Sequence, residues 1–382
     1  MHVFVGTLGF ALIAIVLFDA FETIILPRRV TRKFRLTRAY YRISWKTWRW
    51  TAQHLIKSRK RRSSFFGFYG PLSLILLLGI WAVGMTFGFA LAQWAYGSQL
   101  HAQLPAMHHD FWLDLYFSGT TFTTLGLGDV MPTTLASRIL AVVEAATGFG
   151  FLALVIGYIP VVYTAFSNRE TAISLLDARC GSPSSAVEFM RRYFENPEPS
   201  EVVSLLREWD HWSASILESH ISFPLLALYR SQHDNESWLA ALTTIADVCA
   251  LIIVGIDGIP TRQAQLTFAM ARHAVVDLTQ VLLTKPEPVV PDRLTHGDFV
   301  RLCDTLAQSG ARFRFTEAAE AHLAELRHLY EPYVNALARY LLLDIPSWFP
   351  PENAKDNWQT SAWEKAARRI RPSELDVLDE HF

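Results

Sequence analysis

Seven residues constrain this chain most: Thr123-Thr124-Leu125-Gly126-Leu127-Gly128-Asp129, lying between two long apolar stretches. Two glycines two residues apart allow a backbone that alternates handedness, because left-handed positions are costly for any residue with a Cβ. Such a backbone can turn successive carbonyls the same way. A column of carbonyl oxygens replaces the hydration shell of a cation. The Thr124 hydroxyl can add one further ring of oxygens below that column.

The setting of these residues is a membrane. Hydrophobic residues make up 51% of the 382, which is only slightly high, but they are unevenly placed. Residues 1–166 hold three long apolar stretches, and the remainder reads as an ordinary water-soluble domain. The first span is expected from about Val3 to Leu26, the second from Phe65 to Tyr96 and the third from Leu135 to Phe166. Each exceeds the ~20 residues that cross a bilayer as a helix. The N-terminus lacks a basic leader and a small-residue cleavage site, so the first span is read as retained. Asp19 and Glu22, near its end, are expected to lie at the headgroups and pair with the arginines that follow.

No Asp or Glu occurs between Glu22 and Asp110, while residues 28–62 carry 14 of the 35 Lys and Arg. The near-zero total charge therefore hides a basic segment and an acidic remainder. Within residues 27–64, Arg28, Arg29, Arg32, Lys33, Arg35, Arg38 and Arg42 alternate with Phe34, Tyr40, Tyr41, Trp45, Trp48 and Trp50. That mixture predicts an interfacial helix on an anionic leaflet. Nucleic acid is disfavoured as a partner, because the segment lies between two spans. The positive-inside rule makes it cytoplasmic. The N-terminus and the glycine-spaced loop are then outside, and the C-terminal domain is inside.

From about Ser167 to residue 349, polar and proline punctuation divides runs with helical spacing. Pro199-Ser200 precedes Val202 to Ser219, and Asn235 precedes Trp238 to Ile253. A run from Thr316 carries Leu323, Leu326, Tyr330, Leu337 and Leu341 on one face, with Pro332 expected as a kink. Val248 to Ile256 is too short to cross a bilayer and reads as core helix. Residues 350–382 form a polar tail. The expected fold is an all-α membrane protein: three transmembrane helices, a re-entrant helix with its loop, then an all-helical cytoplasmic domain.

The segment Ser118-Gly-Thr-Thr-Phe-Thr-Thr-Leu-Gly-Leu-Gly-Asp-Val-Met-Pro132 resembles the pore loop of the potassium-channel superfamily. Thr134-Leu135 and Arg138 continue the likeness in the register of simple bacterial two-helix channels. The resemblance covers Tyr69 to Phe166. It implies a selectivity filter at Thr124, Leu125, Gly126, Leu127 and Gly128, with K+ held by Thr124, Leu125, Gly126 and Leu127. It implies a homotetramer, since each chain supplies one strand of the filter, and a bacterial inner-membrane location. It also implies support from Thr123, from Thr120 at a position where some channels carry a glutamate, and from Asp129 outside the filter. With threonine at 120, Asp129 is expected to lack its usual partner. Leucines at 125 and 127 replace the common valine and tyrosine, so the filter is expected to be less firmly braced. The glycine of the inner-helix hinge falls at Gly148.

Other residues leave alternatives open. Glu144, inside the third span, either braces the pore helix or sits hydrated beside Arg138. Gly148 and Pro160 are expected to bend the inner helix and move Tyr158, Val162 and Tyr163 as a gate, with Gly157 a packing glycine. His101, His108 and His109 could sense external pH, although a plain polar loop explains them as well. His220, His233, Asp234, His273 and Asp277 could form one polar site, but their spacing is not that of metal ligands. Cys180, Cys249 and Cys303 read as reduced thiols. No GxGxxG or P-loop is present, so no nucleotide site is argued and no cofactor or catalytic residue is expected. The competing readings are a weakly selective cation channel and a non-conducting membrane adaptor with a pore-like fold.

Overall fold

A computed structural model describes residues 2–26, 35–102, 110–195, 197–231, 236–288, 291–313 and 316–350. The protein is an all-α membrane protein in two compact units, Met1–Thr164 and Ala165–Phe382.

In the first unit, helix α1 (His2–Ala20) ends in a π-helical turn, Phe21–Ile25. Helix α2 (Leu36–Leu55) and helix α3 (Arg59–Ala95) follow. Helix α3 starts well before Phe65, because nothing between Arg59 and Phe65 breaks a helix. The second span is thus continuous with the end of the basic segment. The pore helix α4 is Phe111–Phe122. The long inner helix α5 is Leu135–Cys180 and passes Pro160 without a break. Helices α1 and α3 touch backbone to backbone. A Cβ on Gly9 would lie 2.7 Å from the Gly88 carbonyl, and one on Gly84 would lie 3.1 Å from Val16. Small residues permit this approach, which is how helices gain contact in lipid.

Among the described residues Asp19 does not pair with an arginine. It is buried and accepts from the Thr37 amide (3.1 Å), the Thr37 hydroxyl (2.5 Å) and the Trp81 indole (3.0 Å). One carboxylate therefore ties α1, α2 and α3 together. Glu22 does meet an arginine, Arg35, at 3.5 Å. The aromatic residues of α2 also divide. Trp45 is buried against Phe66 and Tyr69, and Trp48 stacks on Phe65 at 4.2 Å while donating to its carbonyl. They pack α2 onto α3 and are not offered to lipid. Arg28, Arg29, Arg32, Lys33 and Phe34 lie outside the described residues.

The second unit is a helical bundle. It takes in the last turns of α5 and adds α6 (Ala186–Glu195), α7 (Pro199–Ser222), α8 (Trp238–Gly255), α9 (Thr261–Val281), α10 (His296–Gln308), α11 (Glu317–His328) and α12 (Glu331–Leu341). Helix α8 is buried on every side for most of its length and packs against α6, α9, α11 and α12. Its cap is Ser237, whose hydroxyl accepts from the Ala240 amide; Asn235 lies outside the described residues. The run from Thr316 is two helices, not one kinked helix. Thr316 caps α11, and Pro332 sits in the first turn of α12. A proline there lacks only an amide that has no intrahelical partner.

Candidate functional site: the pore loop

Asp110 starts the pore helix, its carboxylate accepting from the Leu113 amide at 3.2 Å. The helix is seated by Leu113 and Phe117, which cluster with Leu100 and Val130. Leu100 and Val130 belong to β1 (Leu100–Ala102) and β2 (Val130–Pro132), a short antiparallel pair that closes the base of the loop. This pair is the one strand element that the helical reading of the sequence left out. Three-residue strands are too short to give an alternating pattern. Behind it, Gln93 of α3 and Ser137 of α5 exchange hydrogen bonds at 3.2 and 2.7 Å. The two ends of the loop are thereby fixed to the outer and inner helices.

The filter segment leaves the C-terminus of α4 through a set of backbone bonds. The Thr123 amide and hydroxyl donate to the Gly119 carbonyl at 3.1 and 2.7 Å. The Leu125 and Gly126 amides both donate to the Thr120 carbonyl at 2.8 and 3.2 Å. Thr120 therefore holds the segment by its carbonyl, while its hydroxyl caps back to Phe117. The dihedrals alternate: φ is +58° at Thr124, +54° at Gly126 and +77° at Gly128, with Leu125 and Leu127 outside the left-handed region. Gly126 and Gly128 need no space, since a Cβ on either meets nothing within 4 Å. Their requirement is conformational. Thr124 holds the same handedness with a β-branched side chain, a strained arrangement on the order of 1–3 kcal/mol. No sequence signal marks that third left-handed position. Residues 123–128 are all exposed in the single chain, with Leu125 62% and Leu127 59% exposed.

Asp129 is not without a partner. The Tyr116 hydroxyl of the pore helix donates to its carboxylate at 2.8 Å. Thirteen residues separate the two, so spacing alone does not reveal the pair. Arg138 donates to the Pro132 carbonyl at 3.1 Å and does not reach Glu144. Glu144 is fully buried, so the hydrated-interface reading does not hold. Neither of its oxygens makes a hydrogen bond, and the fully buried Ser118 hydroxyl of the pore helix is likewise unbonded.

The glycines of the inner helix differ in what surrounds them. A Cβ on Gly148 would lie 1.9 Å from the Phe122 carbonyl, at the last residue of the pore helix. Gly148 is thus where the inner helix presses on the filter's base, within an unbroken helix. Gly157 meets nothing within 4 Å and is not a packing glycine within the chain. Of the expected gate residues, Tyr158 and Val162 are buried and one turn apart, while Tyr163 is 64% exposed. The three do not share one face.

Among the described residues, those that could have met in a polar site of the C-terminal domain have structural surroundings instead. His220 is buried beside Trp238, and its Nδ1 lies 2.9 Å from the Ile216 carbonyl. Burial, aided by the Arg169 charge, pushes its pKa down to about 3. His273 instead faces Asp277 at 3.6 Å along its own helix. His233 and Asp234 lie outside the described residues, as do His108, His109 and the tail 351–382. His101 is exposed on β1. No group of three or more metal-ligating side chains occurs among the described residues. A different cluster does form: Asp247 of α8 accepts from Arg293 at 2.7 Å and from the Tyr330 hydroxyl, and Arg293 also meets Glu331 at 2.8 Å. Only Asp247 and Glu331 in this cluster are nearly fully buried charges, and each is paired. The cluster joins α8 to α12.

Residues 75–165 match the family described as ion channel, Ion_trans_2, whose members have a two-helix pore. The matched part is about a quarter of the sequence and is similar to an ion-channel pore domain. A relative, the uncharacterized membrane protein YdjJ of Bacillus subtilis (strain 168), is 24% identical over 190 residues, or 49% of this chain and 54% of that protein. The chain thus spans about half the length of the curated relative it matches. No solved structure matches the chain.

Proposed function

We propose that the protein is a potassium-selective channel in which four copies of residues 120–129 line one conduction path. The observation that carries this reading is the alternation of handedness through Thr124, Gly126 and Gly128. That alternation lets the carbonyls of Thr124, Leu125, Gly126 and Leu127, with the Thr124 hydroxyl, replace the water around K+ ring by ring. One strand provides one side of each ring. A closed ring needs symmetric copies, and four is the number that the pore-loop resemblance implies. The exposure of residues 123–128 in a single chain agrees with this. The pore helix directs its partial negative end toward the ion path. Glu144, buried in the inner helix, steadies the pore helix from behind. The connector and C-terminal domain face the cytoplasm of a bacterial inner membrane, and the domain biases the gate, with no enzymatic step involved.

The test is potassium flux from liposomes carrying the purified chain, with bi-ionic reversal potentials against sodium. Flux blocked by barium and lost in Gly126→Ala supports the reading. Appreciable sodium permeation moves it to a weakly selective cation channel. Flux absent under all ionic and pH conditions moves it to an adaptor. In the same recordings, Glu144→Leu shortens openings and Glu144→Gln does not. A chain ending at Thr164 that gates like the full chain removes the regulatory role of the domain.

A further inference from the structure

Helix α2 is pinned along one side and bare along the other. Three bonds fix its inner side to α3 in antiparallel register: the Tyr40 hydroxyl donates to the Ser73 carbonyl (2.8 Å), Ser44 meets the Tyr69 hydroxyl (2.8 Å), and the Trp48 indole donates to the Phe65 carbonyl (3.2 Å). The outer side carries Arg42 and Ile43, then Lys46 and Trp50, each about one turn further on. All four are exposed, Ile43 by 66% and Trp50 by 57%. Neither Arg42 nor Lys46 makes an ion pair among the described residues, and no acid lies in sequence between Glu22 and Asp110.

The depth of this face follows from what packs where on α3. Helix α1 covers α3 from Ala95 down to Trp81, through Gly6 beside Ala95, Gly9 beside Gly88, Val16 beside Gly84 and Asp19 bonded to Trp81. Helix α2 bonds to α3 lower down, at Ser73, Tyr69 and Phe65. A helix of 37 residues is ~55 Å long, well over the ~30 Å hydrocarbon core, so part of α3 stands outside it. The α2 face therefore lies beside the end of the first span, where headgroups begin.

We propose that this face binds anionic phospholipid headgroups of the adjoining leaflet. Arg42 and Lys46 engage phosphates, while Ile43 and Trp50 rest in the acyl boundary. Cations alternating with apolar groups suit that boundary, whereas the same segment of a second copy, which carries no acid, would leave the two cations unpaired. Trp50, held by stacking on His54 at 4.9 Å, is a rigid element of the face.

The test is native mass spectrometry of the full chain released from nanodiscs of equimolar phosphatidylglycerol and phosphatidylcholine. The expected result is selective retention of phosphatidylglycerol. About 1 kcal/mol per cation near an anionic surface corresponds to ~fivefold each, so Arg42→Gln with Lys46→Gln should lower retention ~25-fold. Arg191→Gln, in the C-terminal domain, should leave it unchanged. Equal retention of the two lipids, or a double variant that retains phosphatidylglycerol like the parent, overturns the proposal. Efficient disulfide crosslinking of Trp50→Cys between copies in the bilayer also overturns it, by giving the face to a second copy.

Discussion

Helices α5 and α8 are both long and apolar enough to cross a membrane, yet protein covers only 17% of the apolar window of α5 and 83% of that of α8. Their acids differ in the same way. Asp247 of α8 meets Arg293 and Tyr330, whereas Glu144 of α5 is buried with no hydrogen bond. Apolarity thus states that a helix avoids water, but not what replaces the water. In α8 the replacement is four neighbouring helices. In α5 most of the apolar surface is left uncovered by the chain itself.

The contrast is tested most severely at Gly148. Gly148→Ala drives a Cβ into the Phe122 backbone, which cannot move aside without displacing the filter's base. Overpacking of this kind costs ~1–3 kcal/mol. Potassium flux should fall by roughly five- to 150-fold, the range that this cost corresponds to. Gly157→Ala should flux like the parent, since nothing lies near it. Equal behaviour of the two variants would return Gly148 to the role of a free hinge.

A second comparison uses one leucine from each helix. Leu251→Ala empties a fully buried site in α8 and should destabilise the C-terminal bundle by ~2–5 kcal/mol in denaturant melts. Leu152, 52% exposed on α5, should cost under ~1 kcal/mol as alanine if lipid covers it. A cost as large as that of Leu251→Ala would show that another copy packs on this face.

The smallest effect concerns pH. The His220 pKa is low in the folded bundle, about 3, against ~6.5 in an unfolded chain. The unfolded state therefore binds the extra proton first. Stability from this residue is complete above pH 6.5 and falls as pH drops from 6.5 toward 3. The slope approaches ~1.4 kcal/mol per pH unit well below 6.5. Melts of His220→Gln against the parent between pH 7 and 5 should show that slope removed. A parent profile as flat as the variant's would mean that the imidazole is already charged or reached by water.

Much of the pore was legible in the residues. Gly126 and Gly128 announced alternating handedness, because it is a local property of the backbone. The pairing of Tyr116 with Asp129, the strain at Thr124 and the contact of Gly148 with Phe122 were not legible. Each depends on where a second segment arrives, and no local pattern encodes that. Asp19 shows the same limit. Its neighbours in sequence include arginines, but its partners are Thr37 and Trp81, which helix packing delivers from 18 and 62 residues away.

The sequence by itself determined that this chain carries long apolar helices and a glycine-spaced loop, because backbone handedness and transfer from water act residue by residue. Only the tertiary structure decided which apolar helix is walled in by protein, which glycine is pressed against a carbonyl and which face of α2 remains bare. Those outcomes are set by contact at a few ångströms between segments far apart in the chain.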